Sequence, residues 1–235
     1  GYNYYDWSTG DNTQSIYAST TGNYSVAVGD SLGVDNEYSL EFINSADQVI
    51  LPSDLLDGRS EFSFMAYFKA DNSISGYSNI IQQDVTFGSP SNSNYQIYIR
   101  YDQNNSNFYY VLEIGGVNKQ IIIPPPSTEI WHHIAMTYDG TEMKAYLDGS
   151  LVGTENLSGS YVSSGAVFYL GNWNAQELFE GLIDEVSVWD YALDSNDIQT
   201  YLNCSPSGSE SGIVACWNFE EGSGTTALDQ TSNGN

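Results

Sequence analysis

The stretch EIWHHIAMTYDGTEMKAYLDGSLVG, residues 129–153, decides the fold. Ile134 to Tyr138 and Met143 to Leu147 are short apolar-rich runs that flank Asp139-Gly140, and Asp148-Gly149 follows directly. An Asp-Gly pair accepts the positive φ angles that tight hairpin turns require, so the stretch reads strand, turn, strand, turn.

Outward from this hairpin the period stays at two. Phe62, Phe64, Ala66 and Phe68 share one side of a strand, with Ser63, Met65, Tyr67 and Lys69 on the other. Tyr95, Ile97, Ile99 and Tyr101 oppose Gln96, Tyr98 and Arg100, while Phe108, Tyr110, Leu112 and Ile114 oppose Tyr109, Val111 and Glu113. Repeated short strands bounded by Gly, Asn, Asp and Ser are the pattern of an all-β sandwich. Pro124 to Pro126 cannot donate to a ladder and must end the strand Ile121 to Ile123. One short helix is predicted at Ser195 to Leu202, with Asp194 as N-cap and Ile198, Tyr201 and Leu202 facing inward.

With 235 residues, 40% hydrophobic and 14% aromatic, the chain can bury a substantial core, and disorder throughout is excluded. A net charge of −25, from 5 Lys+Arg against 30 Asp+Glu, repels phosphates and anionic membranes, which argues against nucleic-acid binding. No apolar run approaches the length of a spanning helix, so no membrane insertion is expected. The chain opens on GYNYYDW, without an initiator Met or a signal-peptide pattern, as expected of a piece processed or excised from a longer precursor. Cys204 and Cys216 enclose a Pro/Ser/Gly loop; a disulfide between them is expected, with two free thiols as the alternative.

Four segments together carry a family resemblance: EYSLEFINSADQVILP (37–52), residues 129–153, FYLGN (168–172) and FEGLIDEVSVWDYALDSNDIQTYL (179–202). They resemble a bacterial laminin-G-like domain of the concanavalin A-like lectin/glucanase superfamily. The last segment is also similar to the pentraxin pattern of a Gly, a strand ending in Trp-Asp and a short helix. The resemblance implies a two-sheet antiparallel jelly roll over residues 37–202, with the helix near 195–202. Residues 1–36 resemble the closing strands of an immunoglobulin-like repeat of bacterial surface proteins, or a linker. Residues 203–235 hold the Cys loop and a trailing aromatic strand, expected to pack on the jelly roll or pair with a neighbour. Gly181 allows close backbone approach ahead of the strand Leu182 to Trp189, and Trp131 and Trp189 are expected in the core.

Catalysis finds little in the sequence. Asp184 and Glu185 are neighbours on a predicted strand and should point to opposite faces, unlike the facing carboxylates of a glycosidase. His132 and His133 are likewise adjacent and read as structural. For calcium, the resembling fold packs the segments of Asn44, Ser45, Asp47 and Asp184 side by side at one rim; a solvated acidic surface is the alternative. For carbohydrate, aromatic faces with polar neighbours suit sugars, and the non-core strand faces offer Tyr67, Tyr98, Arg100 and Tyr109, with Glu113 and Tyr146, beside a rim loop of Asn172, Trp173 and Asn174. The reading is an extracellular or cell-surface module that binds a glycan or polysaccharide and serves adhesion, with neighbouring domains or subunits as further partners through the terminal strands. A non-catalytic spacer or assembly unit is the alternative, and a glycoside hydrolase the third reading.

Overall fold

The computed structural model describes residues 4–7, 26–29, 37–44, 47–84, 95–163, 165–173 and 177–235. In chain order its elements begin with β1 (Tyr4–Trp7), β2 (Val26–Gly29), β3 (Leu40–Phe42), β4 (Val49–Leu51), β5 (Phe62–Ala70) and β6 (Tyr77–Asp84). β7 (Tyr95–Asp102), β8 (Asn107–Ile114), β9 (Val117–Ile123), β10 (His132–Tyr138), β11 (Glu142–Leu147) and β12 (Ser150–Asn156) follow. The chain closes with β13 (Phe168–Leu170), β14 (Asn172–Trp173), β15 (Glu177–Leu178), β16 (Gly181–Trp189), α1 (Ser195–Asn203) and β17 (Ile213–Trp217). All pairings are antiparallel.

Two large sheets face each other, as the alternation and the resemblance predict. One has the order β12-β11-β10-β5-β16-β17, with β3 also on β16; the other runs β4-β13-β6-β7-β8-β9. β1-β2 and β14-β15 form two further two-stranded sheets. Between the large sheets lies an aromatic core. Phe68 stacks on Phe108 with ring centroids 5.9 Å apart, Tyr101 meets Phe108 edge-on at 4.8 Å, and Phe62 lies 5.6 Å from Tyr138. Burial of such rings is the largest single source of stability in a sandwich of this kind.

β5 departs from the sequence expectation. Phe62, Phe64, Ala66 and Phe68 face the core, but Ser63 and Met65 on the other side are buried as well. A second apolar cluster explains this: Met65, Ala135, Tyr146, Trp189, Leu193, Ile198, Ile213 and Cys216 pack together beneath α1. The helix is held where the sequence places it. The Asp194 carboxylate accepts from the N–H groups of Asn196 and Asp197, and Asp197 accepts from the Asp194 N–H, a complete capping box. Ile198 is buried in the second cluster, Tyr201 lies 4.7 Å from Trp189, and the Tyr67 hydroxyl donates to the Leu202 carbonyl at 2.5 Å.

β17 extends the sheet beside β16, and its outer edge is covered by the residues that follow. Gln230 N–H donates to the Cys216 carbonyl at 2.7 Å, and Asn233 and Asn235 side chains donate to the Val214 carbonyl at 2.8 and 2.9 Å. Asp229 accepts the Cys216 N–H at 3.0 Å.

β16 breaks its own alternation. Asp184 pairs with Tyr67 and Ser187 with Met65, and the extra residue between them includes Glu185 at φ 51°. Asp184 and Ser187 therefore both face outward, and the bulge, not the simple alternation of neighbours, sets the direction of Glu185. That carboxyl is 8% exposed; burial, and then the charge of Asp184, push its pKa up to about 8 against a helping hydrogen bond from Ser205.

Two consequences can be measured. Gly181 has φ +138°, and a Cβ there would lie 2.2 Å from the Lys69 carbonyl oxygen. Gly181→Ala should cost upwards of about 2 kcal/mol in a denaturant titration, beyond the ~1–2 kcal/mol of left-handed strain expected at Gly115, where a Cβ meets open space. Equal costs at the two sites would refute the close approach. For Glu185, the folded chain holds a proton that the unfolded chain releases near its ordinary value of 4.5, so this group lowers stability as pH rises from there to about 8. Glu185→Gln should flatten that fall, raising the melting temperature at about pH 8 relative to the parent while leaving it nearly unchanged at about pH 4. Parallel pH profiles would show that Glu185 titrates normally.

Candidate functional site

The outward face of the six-stranded sheet is assembled by register. Across the strands, Ile50, Tyr169, Gln82, Tyr98, Val111 and Gln120 form one row, and Asn79, Arg100, Tyr109 and Ile122 the next. Arg100 is the centre of the second row. Its guanidinium carbon sits 4.1 Å from the Tyr77 ring centroid and 4.3 Å from that of Tyr98, a ring–cation–ring stack. The β14-β15 hairpin comes over the same face, so that Glu177 accepts from Arg100 at 3.2 Å and from the Asn79 side-chain amide at 2.6 Å. This ion pair is mostly out of water, the two side chains being 9% and 14% exposed. A pair so enclosed holds its geometry, because separating it would leave a desolvated charge.

Around the stack are rings and amides. Tyr77 is 39% exposed; Arg100 covers one side of its ring, so the exposed area belongs to the rest of it. Tyr109 and Tyr169 are half-buried, and the Asn107 amide donates to the Tyr109 hydroxyl. Gln82 and Asn79 are buried, and both amide atoms of Gln82 and the Oδ1 of Asn79 have no hydrogen-bond partner. Such atoms cost about 1–3 kcal/mol each when left unsatisfied, and a native sheet that keeps them calls for a reason.

Of the carbohydrate residues expected from sequence, Tyr98, Arg100, Tyr109 and Asn172 fall on or beside this face. Asn172 is fully buried at the start of the hairpin. Trp173 contributes backbone pairing to Glu177, its side chain lying outside what the structure describes, and Asn174 lies outside the described residues. Tyr67 belongs elsewhere. It stands on the outward face of the other sheet, half-buried under the end of α1, packed on His133 at 4.9 Å, with burial and then the Glu185 charge raising its pKa to about 12. Tyr146 is buried in the second cluster. Alternation tells inward from outward but not which of two sheets a strand joins, and that is how Tyr67 was grouped with Tyr98. Tyr77, Asn79, Gln82 and Glu177 were missed; the polar run Gln82-Gln83 within an apolar strand was the available signal.

The other candidate sites do not assemble. One oxygen of Asp47, Oδ2, takes the Ile43 N–H, the Asn44 N–H and the Asn44 side-chain amide within 3.0 Å. Asp184 is remote from that turn: Ile183 pairs with Leu40 and Gly181 with Phe42, so Asn44 and Asp184 are about 17 Å apart along the ladder at about 3.4 Å per residue. Asp184 is 3% exposed and accepts the Glu185 N–H. Ser45 lies outside the described residues, and among those described no three His, Cys, Asp or Glu side chains could hold a metal ion. Asn44, Asp47 and Asp184 therefore do not fit a shared calcium ion.

Cys204 and Cys216 are both free. Cys216 points into the second cluster, where burial pushes its thiol up to about 12, whereas Cys204 is exposed at the end of α1; the expected bridge is not formed. Trp131 is also a correction: it is 43% exposed where Trp189 is fully buried, because it precedes β10 instead of lying within it.

Catalytic geometry is equally wanting. The bulge brings Glu185 beside Asp184, contrary to the simple alternation, but at 8% and 3% exposure the pair faces no cleft. Burial lowers His133 to about 4, leaving it neutral. His132 Nδ1 lies 2.8 Å from Asp148, and its Nε2 lies 3.1 Å from the Ser127 carbonyl and 3.2 Å from the Ser127 hydroxyl. With Nδ1 on Asp148, Nε2 beside both Ser127 oxygens and the residue 7% exposed, this Ser-His-Asp row ties the chain before β10 to the turn at Asp148.

Comparison with known proteins agrees with this architecture. A laminin-G domain family, described as the concanavalin A-like lectin/glucanases superfamily, matches residues 43–199, more than half of the chain. The rat protein "Sushi, von Willebrand factor type A, EGF and pentraxin domain-containing protein 1" (Rattus norvegicus) is 30% identical over 137 residues, 52% of this chain but 4% of that protein's length. Among solved structures, a candidate carbohydrate-binding protein of Bacteroides ovatus superposes with a TM-score of 0.60 at 18% identity, over 81% of this chain and 54% of that one. A heptameric pentraxin from Limulus polyphemus gives 0.52 at 21% identity, over 72% and 83%. Two facing antiparallel sheets, one short helix and a family match across the jelly roll lead to one assignment: this chain belongs to the laminin-G-type domains of the concanavalin A-like lectin/glucanases superfamily, with pentraxins among its homologues.

Proposed function

We propose that the chain is a non-catalytic carbohydrate-binding module of an extracellular or cell-surface protein, and that it binds glycan on the outward face of the six-stranded sheet. The observation that carries the reading is the Tyr77–Arg100–Tyr98 stack, fixed by Glu177, with the exposed ring of Tyr77, the half-buried Tyr109 and Tyr169 and the exposed Gln120 amide on the same face. Sugars present C–H faces that stack on rings and hydroxyls that need partners of both kinds, and rings and amides on rigid strands supply both. The superfamily and the Bacteroides ovatus neighbour support carbohydrate as the ligand class. Adhesion follows if several such modules sit in one larger protein, since linked weak sites gain avidity. No helix among the described residues is long and apolar enough to cross a membrane.

The test is a titration of the protein with the polysaccharides that retain it in affinity electrophoresis. Tyr77→Ala should weaken binding by about 1–3 kcal/mol, roughly ten- to a hundredfold, without a comparable loss of stability. Trp131→Ala, which removes an exposed ring remote from this face, should leave affinity unchanged. The opposite pattern, binding lost with Trp131 and kept without Tyr77, would move the site off the sheet.

A further inference from the structure

We infer that the ligand of this face is an uncharged glycan, selected by neutral hydrogen-bonding groups and not by charge, an inference that rests on the carbohydrate-binding reading above. It comes from the complete set of cationic side chains. The chain has five Lys and Arg and two His, and all seven are described. Arg59 pairs with Asp190 at 3.8 Å, Lys119 with Glu155 at 3.1 Å, Lys144 with Glu142 at 3.2 Å and Arg100 with Glu177 at 3.2 Å. Lys69 stands on β5, in the other sheet. His132 faces Asp148 and His133 is held neutral by burial.

On the outward face of the six-stranded sheet, then, Arg100 is the one Lys or Arg side chain, 7% exposed between two rings and already facing a carboxylate. Asp102 and Glu113 occupy the same side of β7 and β8, so the charge of the face is negative before any ligand arrives. An acidic sugar would meet this field without a cation able to turn to it, and the net charge of −25 would slow its approach further. An amine-bearing sugar would be drawn by the field but would find the enclosed carboxylates occupied, Glu177 by Arg100 and Asn79 and Asp102 by the Asn104 and Asn105 N–H groups and the Asn105 amide.

What the face does offer is neutral. Gln120 is exposed and Asn107 and Asn118 are half-buried on the outward side of β9 and β8, beside the rings of Tyr77, Tyr109 and Tyr169. A hydroxyl gives and takes one bond each, so it matches an amide without any charge. A site built to bond a hydroxyl discriminates strongly against ligands that leave its polar groups unpaired.

The experiment compares retention and calorimetric affinity for uncharged polymers (laminarin, galactomannan, dextran), acidic ones (polygalacturonate, alginate) and chitosan, at about 20 mM and about 500 mM NaCl. The expected result is binding to at least one uncharged polymer, with affinity changing less than about twofold between the two salts. Tighter binding to an acidic polymer or to chitosan, weakened by salt, overturns the uncharged-ligand inference while leaving the carbohydrate reading intact. Binding to none of them overturns the carbohydrate reading itself.

Discussion

Both faces of β5 are withheld from water, and the division of labour in this molecule depends on that constraint. Phe62, Phe64 and Phe68 fill the space between the sheets, while Met65 on the reverse side is covered by the cluster beneath α1. A sheet buried on both faces cannot also present one to a ligand. The helix, its capping box and the Tyr67–Leu202 hydrogen bond thus commit the seven-stranded sheet to stability. The six-stranded sheet has no helix over it among the described residues; the centre of its outward face, at Gln82, Tyr98 and Val111, is buried, and the exposed and half-buried rings Tyr77, Tyr109 and Tyr169 lie around that centre.

The Arg100 stack on that face is organised by enclosure and not by charge strength. A guanidinium at 7% exposure has lost most of its hydration, which Glu177 and the π-faces of Tyr77 and Tyr98 offset. With its guanidinium carbon within 4.3 Å of both ring centroids, the one ion ties the two rings together. The ion pair also fastens β15 to β6 through Asn79, so a single glutamate links the hairpin, the arginine and the amide row. Rigidity of this kind favours binding, since a ligand then orders fewer side chains as it docks.

Much of the fold was legible in the sequence because it rests on local chemistry. Asp-Gly turns, alternating runs, the Asp194 cap and the small residue at Gly181 each act within a few residues of where they are read. The functional face was half legible. Tyr98, Arg100 and Tyr109 come from alternation within neighbouring strands, whereas Tyr67 was misplaced because sheet membership is decided by non-local pairing. Glu177 could not be read at all, since it reaches Arg100 across 77 positions by way of a two-residue strand. The missing disulfide has a related cause: cysteine spacing says nothing of direction, and Cys216 turns inward while Cys204 stays exposed. Asp184 and Glu185 illustrate the limit of period-two reasoning, because one bulge changes the direction of every residue after it.

The edge of β17 bears on the choice between a binding module and a strand-exchanging assembly unit. An open edge strand is a template for addition of another chain. Here the edge is answered from within: Gln230 pairs with the Cys216 carbonyl, Asp229 takes the Cys216 N–H, and Thr231, Asn233 and Asn235 converge on the Val214 carbonyl. The Asp229 carboxyl is held below the ordinary aspartate value despite the opposing effect of burial, because the N–H groups of Cys216, Thr231 and Asn235 all point to it. A strand from a second molecule would have to displace this set and leave Asp229 without its donors. Such an edge resists addition, so the trailing aromatic strand acts as the last strand of its own sheet.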